Sequence, residues 1–301
     1  MRRPCLILSD TIGCAILLGG SSKLSSAFKL ASRSYLARCF PSMLSAEGGL
    51  ALPSERKQHG TSAACARPIT IAVVLFPGFE LLDVAAPGEL LGATPGISLM
   101  YASEQAGLVP SSCMEIQGGD VGPSFVATHV LQPDGVISST VSNESIRPDG
   151  ILIPGGKGVR AEVNNSKLLE WLRSASERCE IVFTVCTGSW LLAASGGLDG
   201  RKATSNKSAL RQGSPQSARP EVDWQMNARW IVDEVTRTAG RRTLYLTSSG
   251  VSAGGDAALA LIARLHGAEV ARRVAHNAEW NWHEDPTMDP FALAMGVCCN
   301  T

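Results

Sequence analysis

The residues with the clearest chemical potential lie at positions 185–189, Val-Cys-Thr-Gly-Ser, where an apolar run meets a helical pattern. Cys186 directly follows that run, and Gly188 lets the next helix begin close to the strand. A side chain at so sharp a strand-to-helix turn is held above the sheet, as nucleophiles are in hydrolase elbows. Unpaired N–H groups and the helix dipole at this turn favour thiolate over thiol. The spacing predicts a nucleophilic cysteine, and an inert buried thiol is the alternative.

Strands and helices alternate along the chain, which favours an α/β fold. Continuous apolar runs that lack alternation are typical of parallel strands buried on both faces of a sheet. Such sheets carry helices on both faces and place their sites at the carboxyl ends of the strands. The predicted strands are 68–76, 98–102, 149–153, 180–185, and a hairpin of 228–235 with 244–248. The predicted helices are 82–92, 166–177, 187–195, 257–266 and 268–282, with a glycine-rich turn at 249–256.

Charge and composition restrict the class of protein. The 301 residues include 27 basic and 27 acidic residues, so the formal net charge of zero argues against a nucleic-acid partner. Hydrophobic residues make up 45 % of the chain, enough for a large core. No apolar run reaches the roughly 18 residues that a membrane span requires. We therefore expect a small-molecule partner, no nucleic acid and no membrane span.

The first 67 residues differ from the rest. They contain nine basic and three acidic residues and are rich in Ser, Ala and Leu. This composition is typical of an organellar transit peptide, with a secretory signal or a disordered extension as alternatives. The predicted organisation is a leader at 1–67, an α/β domain at 68–285 and an irregular tail at 286–301. The predicted location is cytoplasmic or mitochondrial.

The nine cysteines contain no C-x-x-C pair, and the histidines show no metal-ligand spacing. A zinc site and a disulfide framework therefore find no support, and no metal is predicted. The pattern suits a reducing compartment, in which one cysteine can be kept as a reactive thiol.

Five short motifs occur in an order that resembles the ThiJ/PfpI superfamily. They lie at 76–89, 154–158, 185–189, 200–204 and 249–254. The Cys-Thr-Gly turn and the Leu-Asp pair at 82–83 look like the isonitrile hydratase branch of that superfamily. The resemblance spans about residues 69–283. It implies a flavodoxin-like three-layer α/β sandwich with a mainly parallel sheet, a strand–nucleophile elbow–helix and usually a homodimer.

The resemblance also implies roles for two side chains at the centre of the site. Cys186 would be the nucleophile and Asp83 the acid/base beside it, provided that burial raises the carboxyl pKa into the working range. An aspartate at a helix start is often only a cap, worth about 1 kcal/mol, so capping is the alternative for Asp83. Glu80 and Glu89 are interpreted as surface or helix-face carboxylates.

Further positions carry over as substrate-binding residues. Thr187 would position substrate and water, and the N–H groups of Gly156 and Thr187 would form an anion-stabilising pocket beside Gly155. Asn206 stands where many relatives have a titratable histidine, so it can orient a substrate but cannot act as a base.

The implied reaction is the hydration of an isonitrile to an N-substituted formamide through a cysteine thioimidate. It needs no metal and no cofactor. Two alternatives remain open: a non-catalytic redox-sensing or ligand-binding protein, and a glyoxalase, deglycase or amidase activity. Thr187 argues against the second alternative because such relatives usually carry a histidine there.

Overall fold

The computed structural model describes residues 67–113, 121–237 and 240–297. Nearly all of the proposed leader, 1–67, lies outside these ranges, and so does the end of the proposed tail at 298–301. The targeting role of the leader and the cellular location therefore remain predictions. Within the described ranges, no helix is long and apolar enough to cross a membrane.

One nine-stranded sheet organises the protein. Its strands are β1 (Ile69–Val74), β3 (Ile97–Ser103), β6 (His129–Gln132), β7 (Val136–Ser139), β8 (Ser145–Ile146), β9 (Gly150–Ile153), β10 (Ile181–Thr184), β13 (Trp230–Thr236) and β14 (Arg242–Ser248). They lie in the order β13-β14-β10-β9-β1-β3-β6-β7-β8, in which the pairs from β14 to β6 are parallel and antiparallel pairs lie at both edges. The smaller sheets contain β2 (Phe79–Glu80), β4 (Gly107–Ser112) and β5 (Val121–Ala127), and β11 (Lys202–Ala203) with β12 (Asp223–Trp224).

The helices fall into two groups that pack on the sheet. They are α1 (Leu81–Gly92), α2 (Val159–Glu162), α3 (Ser166–Arg178), α4 (Gly188–Ala194), α5 (Lys207–Gln212), α6 (Ser214–Ala218), α7 (Ala253–His266), α8 (Ala268–Asn277) and α9 (Pro290–Ala294). Helix α7 packs against α1 and α8, whereas α4 packs against α2, α3 and α6. Every residue of β9 and β10 is buried, which requires a cover on both faces of the sheet. The predicted three-layer α/β sandwich with a mainly parallel sheet is confirmed.

Strand register brings the predicted site together. Thr184 on β10 pairs with Ile153 on β9 and with Thr247 on β14. Because these parallel strands end in one row, the residues that follow each of them meet at the same edge of the sheet. That edge carries the glycine turn after β9, Cys186 after β10 and the 249–252 segment after β14.

The predicted bounds of the last two long helices were wrong. Helix α7 begins at Ala253, so two glycines expected in a turn lie inside it. A Cβ on Gly255 would lie 2.3 Å from the Trp280 ring, which explains why this helical turn needs glycine. Helix α8 ends at Asn277 because Trp280 turns back and donates its indole N–H to Asp256, 2.9 Å away.

The described part of the predicted tail, 286–297, is less irregular than predicted. Asp289 accepts a hydrogen bond from the Phe291 N–H at 2.9 Å and so caps the short helix α9. Arg229 N–H donates to Pro286 O at 2.8 Å, which attaches this segment to the start of β13. The strands β4 to β8 were also missed in part, because they are short and contain many Ser, Pro and Gly residues.

Candidate active site

Cys186 lies between β10 and α4 in a backbone conformation that few side chains adopt. Its φ is 57°, in the left-handed region. Such a conformation costs about 1–3 kcal/mol and persists only where the surroundings enforce it. Here the Cys186 N–H donates to Ser249 O at 2.9 Å. The hydroxyls of Ser189 and Ser205 both donate to Cys186 O, each at 3.1 Å. The turn is therefore fixed from three sides, and the thiol has a defined position.

Close backbone packing beneath this turn depends on two glycines. A Cβ on Gly188 would lie 2.2 Å from Ile153 O, and a Cβ on Gly155 would lie 2.5 Å from the Thr187 nitrogen. Both distances are too short for any side chain. The ends of β9 and β10 can therefore approach each other only with glycine at these positions, which is how the sequence brings Gly155 beside Cys186.

Asp83 reaches the same place from the first turn of α1. Its side chain has no solvent exposure, and Oδ2 accepts a hydrogen bond from the Gly155 N–H at 2.8 Å. Oδ1 is buried without a hydrogen-bond partner among the described residues. The residue at the helix N-cap is Glu80, and its side chain caps no N–H group. Asp83 is thus directed into the protein and makes no cap, so the capping interpretation was wrong.

The surroundings of the Asp83 carboxyl disfavour its ionised form. Burial raises its pKa well above the ordinary value, and the nearby charge of Glu80 raises it further. The Gly155 N–H and the Cys186 side chain lower the pKa, but by less. This is the direction that a general acid near neutral pH requires.

The Cys186 thiol is also nearly buried and strongly influenced by Asp83. Burial, followed by the Asp83 charge, raises the pKa of the thiol well above its ordinary value. The Thr187 N–H, the Asn206 side chain and the Val251 N–H lower the pKa by smaller amounts. The N–H group at the start of α4 lowers the thiol pKa, as expected, but burial and the Asp83 charge outweigh it. The thiol and the carboxyl influence each other's titration and form a coupled pair.

Asn206 has two functions at this site. Its Oδ1 accepts hydrogen bonds from the N–H groups of Ser208 and Ala209, at 2.9 and 3.2 Å, and so caps α5. Since Oδ1 is occupied by those donors, the amide group is left to interact with Cys186. The structure therefore places Asn206 beside the sulfur, as the motif comparison implied, and adds a capping role that fixes its orientation.

The predicted anion-stabilising donors are engaged within the protein. The Gly156 N–H donates to Thr187 Oγ1 at 3.1 Å, and the Gly155 N–H is held by Asp83. Gly156 adopts φ 123°, which only glycine adopts readily, and this conformation brings its N–H to Thr187. Stabilisation of a substrate anion by these groups remains a prediction.

A cavity of about 260 Å³ opens above the thiol. Its floor includes Cys186 and Thr187, and its wall includes Asn206. Glu80 also lines it and is only 6 % exposed, so its assignment to the surface was wrong. The remaining lining residues are Cys113, Gly156, Lys157, Arg160, Ser208, Ala209 and Gln212.

Two participants were missed from sequence. Glu80 lies directly before α1, where it is buried with Phe79, and the run of apolar neighbours at 79–82 was an available signal. Val251 contributes only a backbone N–H, for which its side chain gives no signal. Among residues 67–113, 121–237 and 240–297, no three His, Cys, Asp or Glu side chains come together as a metal site.

Fold and site together define a class: an α/β protein with a cysteine turn above the carboxyl edge of a parallel sheet. The DJ-1/PfpI family model matches residues 69–263, and the chain belongs to this family.

Similarity to individual proteins is more distant. Isonitrile hydratase of Pseudomonas putida is 26 % identical over 212 residues, which cover 70 % of this chain and 78 % of that protein. The HTH-type transcriptional regulator CdhR of Pseudomonas aeruginosa is 31 % identical over 158 residues, 49 % of this chain and 43 % of the regulator. A crystal structure of a ThiJ/PfpI family protein from Pseudomonas syringae superimposes with a TM-score of 0.56 at 22 % identity, covering 77 % of this chain and 82 % of that one.

Proposed function

We propose that this protein is a cysteine-dependent enzyme that adds water to a small isonitrile and releases an N-substituted formamide. The observation that carries the proposal is the buried Cys186–Asp83 pair at the floor of an accessible cavity. The similarity to isonitrile hydratase supports the choice of substrate class.

The first step adds the S–H group across the terminal carbon of R–N≡C. The sulfur of Cys186 bonds to that carbon, and the carbon takes up a proton, which gives the thioimidate R–N=CH–S–Cys186. We assign the transfer of this proton to Asp83, because its pKa is raised and its side chain interacts with the thiol. A pair in which both pKa values are raised suits this step, since an isonitrile accepts a proton at the same carbon that the sulfur attacks.

The second step adds water to the thioimidate carbon. The C–S bond then breaks, the formamide R–NH–CHO leaves, and the proton returns to sulfur. In this proposal Asp83 serves as the proton relay, and Thr187, which lines the cavity, positions the water. The sum is one isonitrile and one water to one formamide, so the thiol and the carboxyl are regenerated.

The same geometry argues against the redox-sensing alternative. Oxidation of a cysteine by peroxide proceeds through the thiolate and is fastest for low-pKa, accessible thiols. Burial and Asp83 raise the pKa of Cys186, and its exposed fraction is 5 %. A resting thiol of this kind is suited to proton-coupled addition.

Turnover of a panel of small isonitriles, followed by mass spectrometry of the formamide product, tests the proposal. We expect formamide from the wild type and none from Cys186→Ala. Cys179→Ser is the matched control: Cys179 is buried, donates to Pro148 O at 3.4 Å and lies outside the cavity lining. Serine retains that hydrogen bond, so this variant should keep full activity. Absence of formamide with every isonitrile would refute the substrate class, and activity in Cys186→Ala would refute the nucleophile.

A further inference from the structure

The cavity above Cys186 carries an uneven distribution of charge. Lys157 and Arg160 line it together with a single acidic side chain, Glu80. Asp83 is fully buried and is not part of the lining. Lys157 has interactions of its own, so Arg160 is the cationic side chain of this cavity of about 260 Å³ that a ligand can use.

The Cys186 thiol and the Arg160 guanidinium lie at different depths in the cavity. Cys186 is 5 % exposed and lies at the floor, whereas Arg160 belongs to the exposed residues. Lys157 and Arg160 lie at the start of the short helix α2, after the glycine turn that follows β9. A molecule whose reactive carbon reaches Cys186 therefore has its other end near these two side chains.

Arg160 is available to a ligand. Among the described residues, no hydrogen bond or ion pair involves its guanidinium, whereas Arg219 and Arg229 are each held by carboxylates. Ser208 and Gln212 line the same cavity, where the Gln212 amide donates to Ser208 Oγ at 3.1 Å and leaves the Ser208 hydroxyl hydrogen as a neutral donor. An unpaired guanidinium with neutral donors beside it matches a carboxylate or phosphate group.

We propose that the substrate carries an anionic group, a carboxylate or a phosphate, which binds Arg160 at the cavity mouth while its electrophilic carbon reaches Cys186. With the proposed hydration activity, on which this substrate class rests, the substrate becomes an isonitrile with a short anionic tail.

Alkylation of Cys186 tests this preference without any isonitrile. Iodoacetate and iodoacetamide differ in charge and little in size, and each transfers one carbon group to sulfur with loss of iodide. Peptide mass spectrometry gives the rate at Cys186 for both reagents, each divided by its rate with glutathione at the same pH. We expect the wild type to favour iodoacetate by about fivefold, the effect of one charge at short range in water. The preference should shrink as ionic strength rises.

Charge variants decide whether Arg160 causes the preference. In Arg160→Gln the iodoacetate preference should fall severalfold, and in Arg160→Lys it should persist. The control is Arg173→Gln, because Arg173 is an exposed arginine on α3, paired with Glu177 and outside the cavity lining. A preference that is absent in the wild type, or unchanged in Arg160→Gln, would overturn the proposal.

Isonitrile turnover then extends the test to the reaction. The comparison is between isocyanoacetate and its neutral methyl ester, and we expect a lower KM for the anion in the wild type and loss of that advantage in Arg160→Gln. If neither compound reacts while the alkylation preference is present, the isonitrile assignment fails and the anion site stands. If both react equally well in the wild type, the anion site fails and the hydration activity stands.

Discussion

Two of the buried aspartates, Asp83 and Asp256, have opposite surroundings. Asp256 is 2 % exposed, and both of its carboxylate oxygens are occupied. Oδ2 accepts from Arg229 at 2.6 and 2.8 Å, and Oδ1 accepts from the Trp280 indole at 2.9 Å and the His283 N–H at 3.1 Å. Asp83 is equally buried but has one backbone donor and faces a thiol.

This difference separates a structural carboxylate from a reactive one. A buried carboxylate whose oxygens all accept hydrogen bonds is fixed in place. Removing it leaves its cationic partner unpaired in the protein interior. A buried carboxyl with few donors keeps its proton and can exchange it. Asp256 therefore anchors the segment after α8, and Asp83 is the carboxyl to which we assign the proposed proton transfer.

Replacement of Asp256 should produce the largest loss of stability. Asp256→Ala leaves the buried Arg229 without its closest partner and frees Trp280, so we expect the free energy of unfolding to fall by about 3–5 kcal/mol. Urea unfolding followed by circular dichroism measures it. Glu284→Gln is the control, because Glu284 pairs with Arg272 at the surface and should cost less than about 1 kcal/mol. A cost below about 1 kcal/mol for Asp256→Ala would contradict the anchoring role.

Replacement of Asp83 should reduce activity without a loss of stability. Asp83→Asn keeps the shape and an acceptor for the Gly155 N–H but removes the titrating proton, so kcat for isonitrile hydration should fall about 10²–10⁴-fold. Equal activity in Asp83→Asn and wild type would remove Asp83 from the reaction.

The stability of the same variant has a defined pH dependence. Because the pKa of Asp83 is raised in the folded state, the wild type loses stability as pH rises above the ordinary carboxyl value of about 4. Asp83→Asn lacks this loss. The unfolding free energy of the variant relative to wild type should therefore increase between about pH 4 and pH 7. A difference that stays constant over this range would show that the Asp83 pKa is not raised.

Asn206 and Asn165 offer a smaller comparison between two helix caps. Asn165 accepts from the Leu168 N–H at 3.3 Å and caps α3, and Asn206 caps α5 while contacting Cys186. Replacement of either by Ala should cost about 1 kcal/mol of stability. Only Asn206→Ala should also slow iodoacetamide alkylation of Cys186, since the thiol pKa rises when that donor is lost. Equal alkylation rates in both variants would limit Asn206 to capping.

The sequence predicts the parallel core and the position of the cysteine turn at its edge, for a physical reason. Strands buried on both faces leave unbroken apolar runs, as at β9 and β10, and a nucleophile turn needs glycine at fixed positions, as at Gly188. These are local requirements that the residue types themselves display.

What sequence reasoning missed depends on contacts between distant segments. Helix α7 includes Gly255 because the Trp280 ring occupies the space of a side chain, and no local pattern reveals that contact. The pKa of the Cys186 thiol likewise depends on a distant contact. Burial and the charge of Asp83, more than 100 positions away in the sequence, raise this pKa by more than the helix N–H groups lower it. For that reason the direction of the thiol pKa shift could not be predicted from the turn alone.

The pH dependence of Cys186 alkylation in wild type and Asp83→Asn tests the coupled pair most directly. Iodoacetamide is neutral, so its rate at Cys186, measured by peptide mass spectrometry, follows the thiolate fraction. Because the Asp83 charge raises the thiol pKa, the profile of Asp83→Asn should move to lower pH. A profile that stays in place, or moves to higher pH, would show that Cys186 and Asp83 titrate independently and would contradict the account.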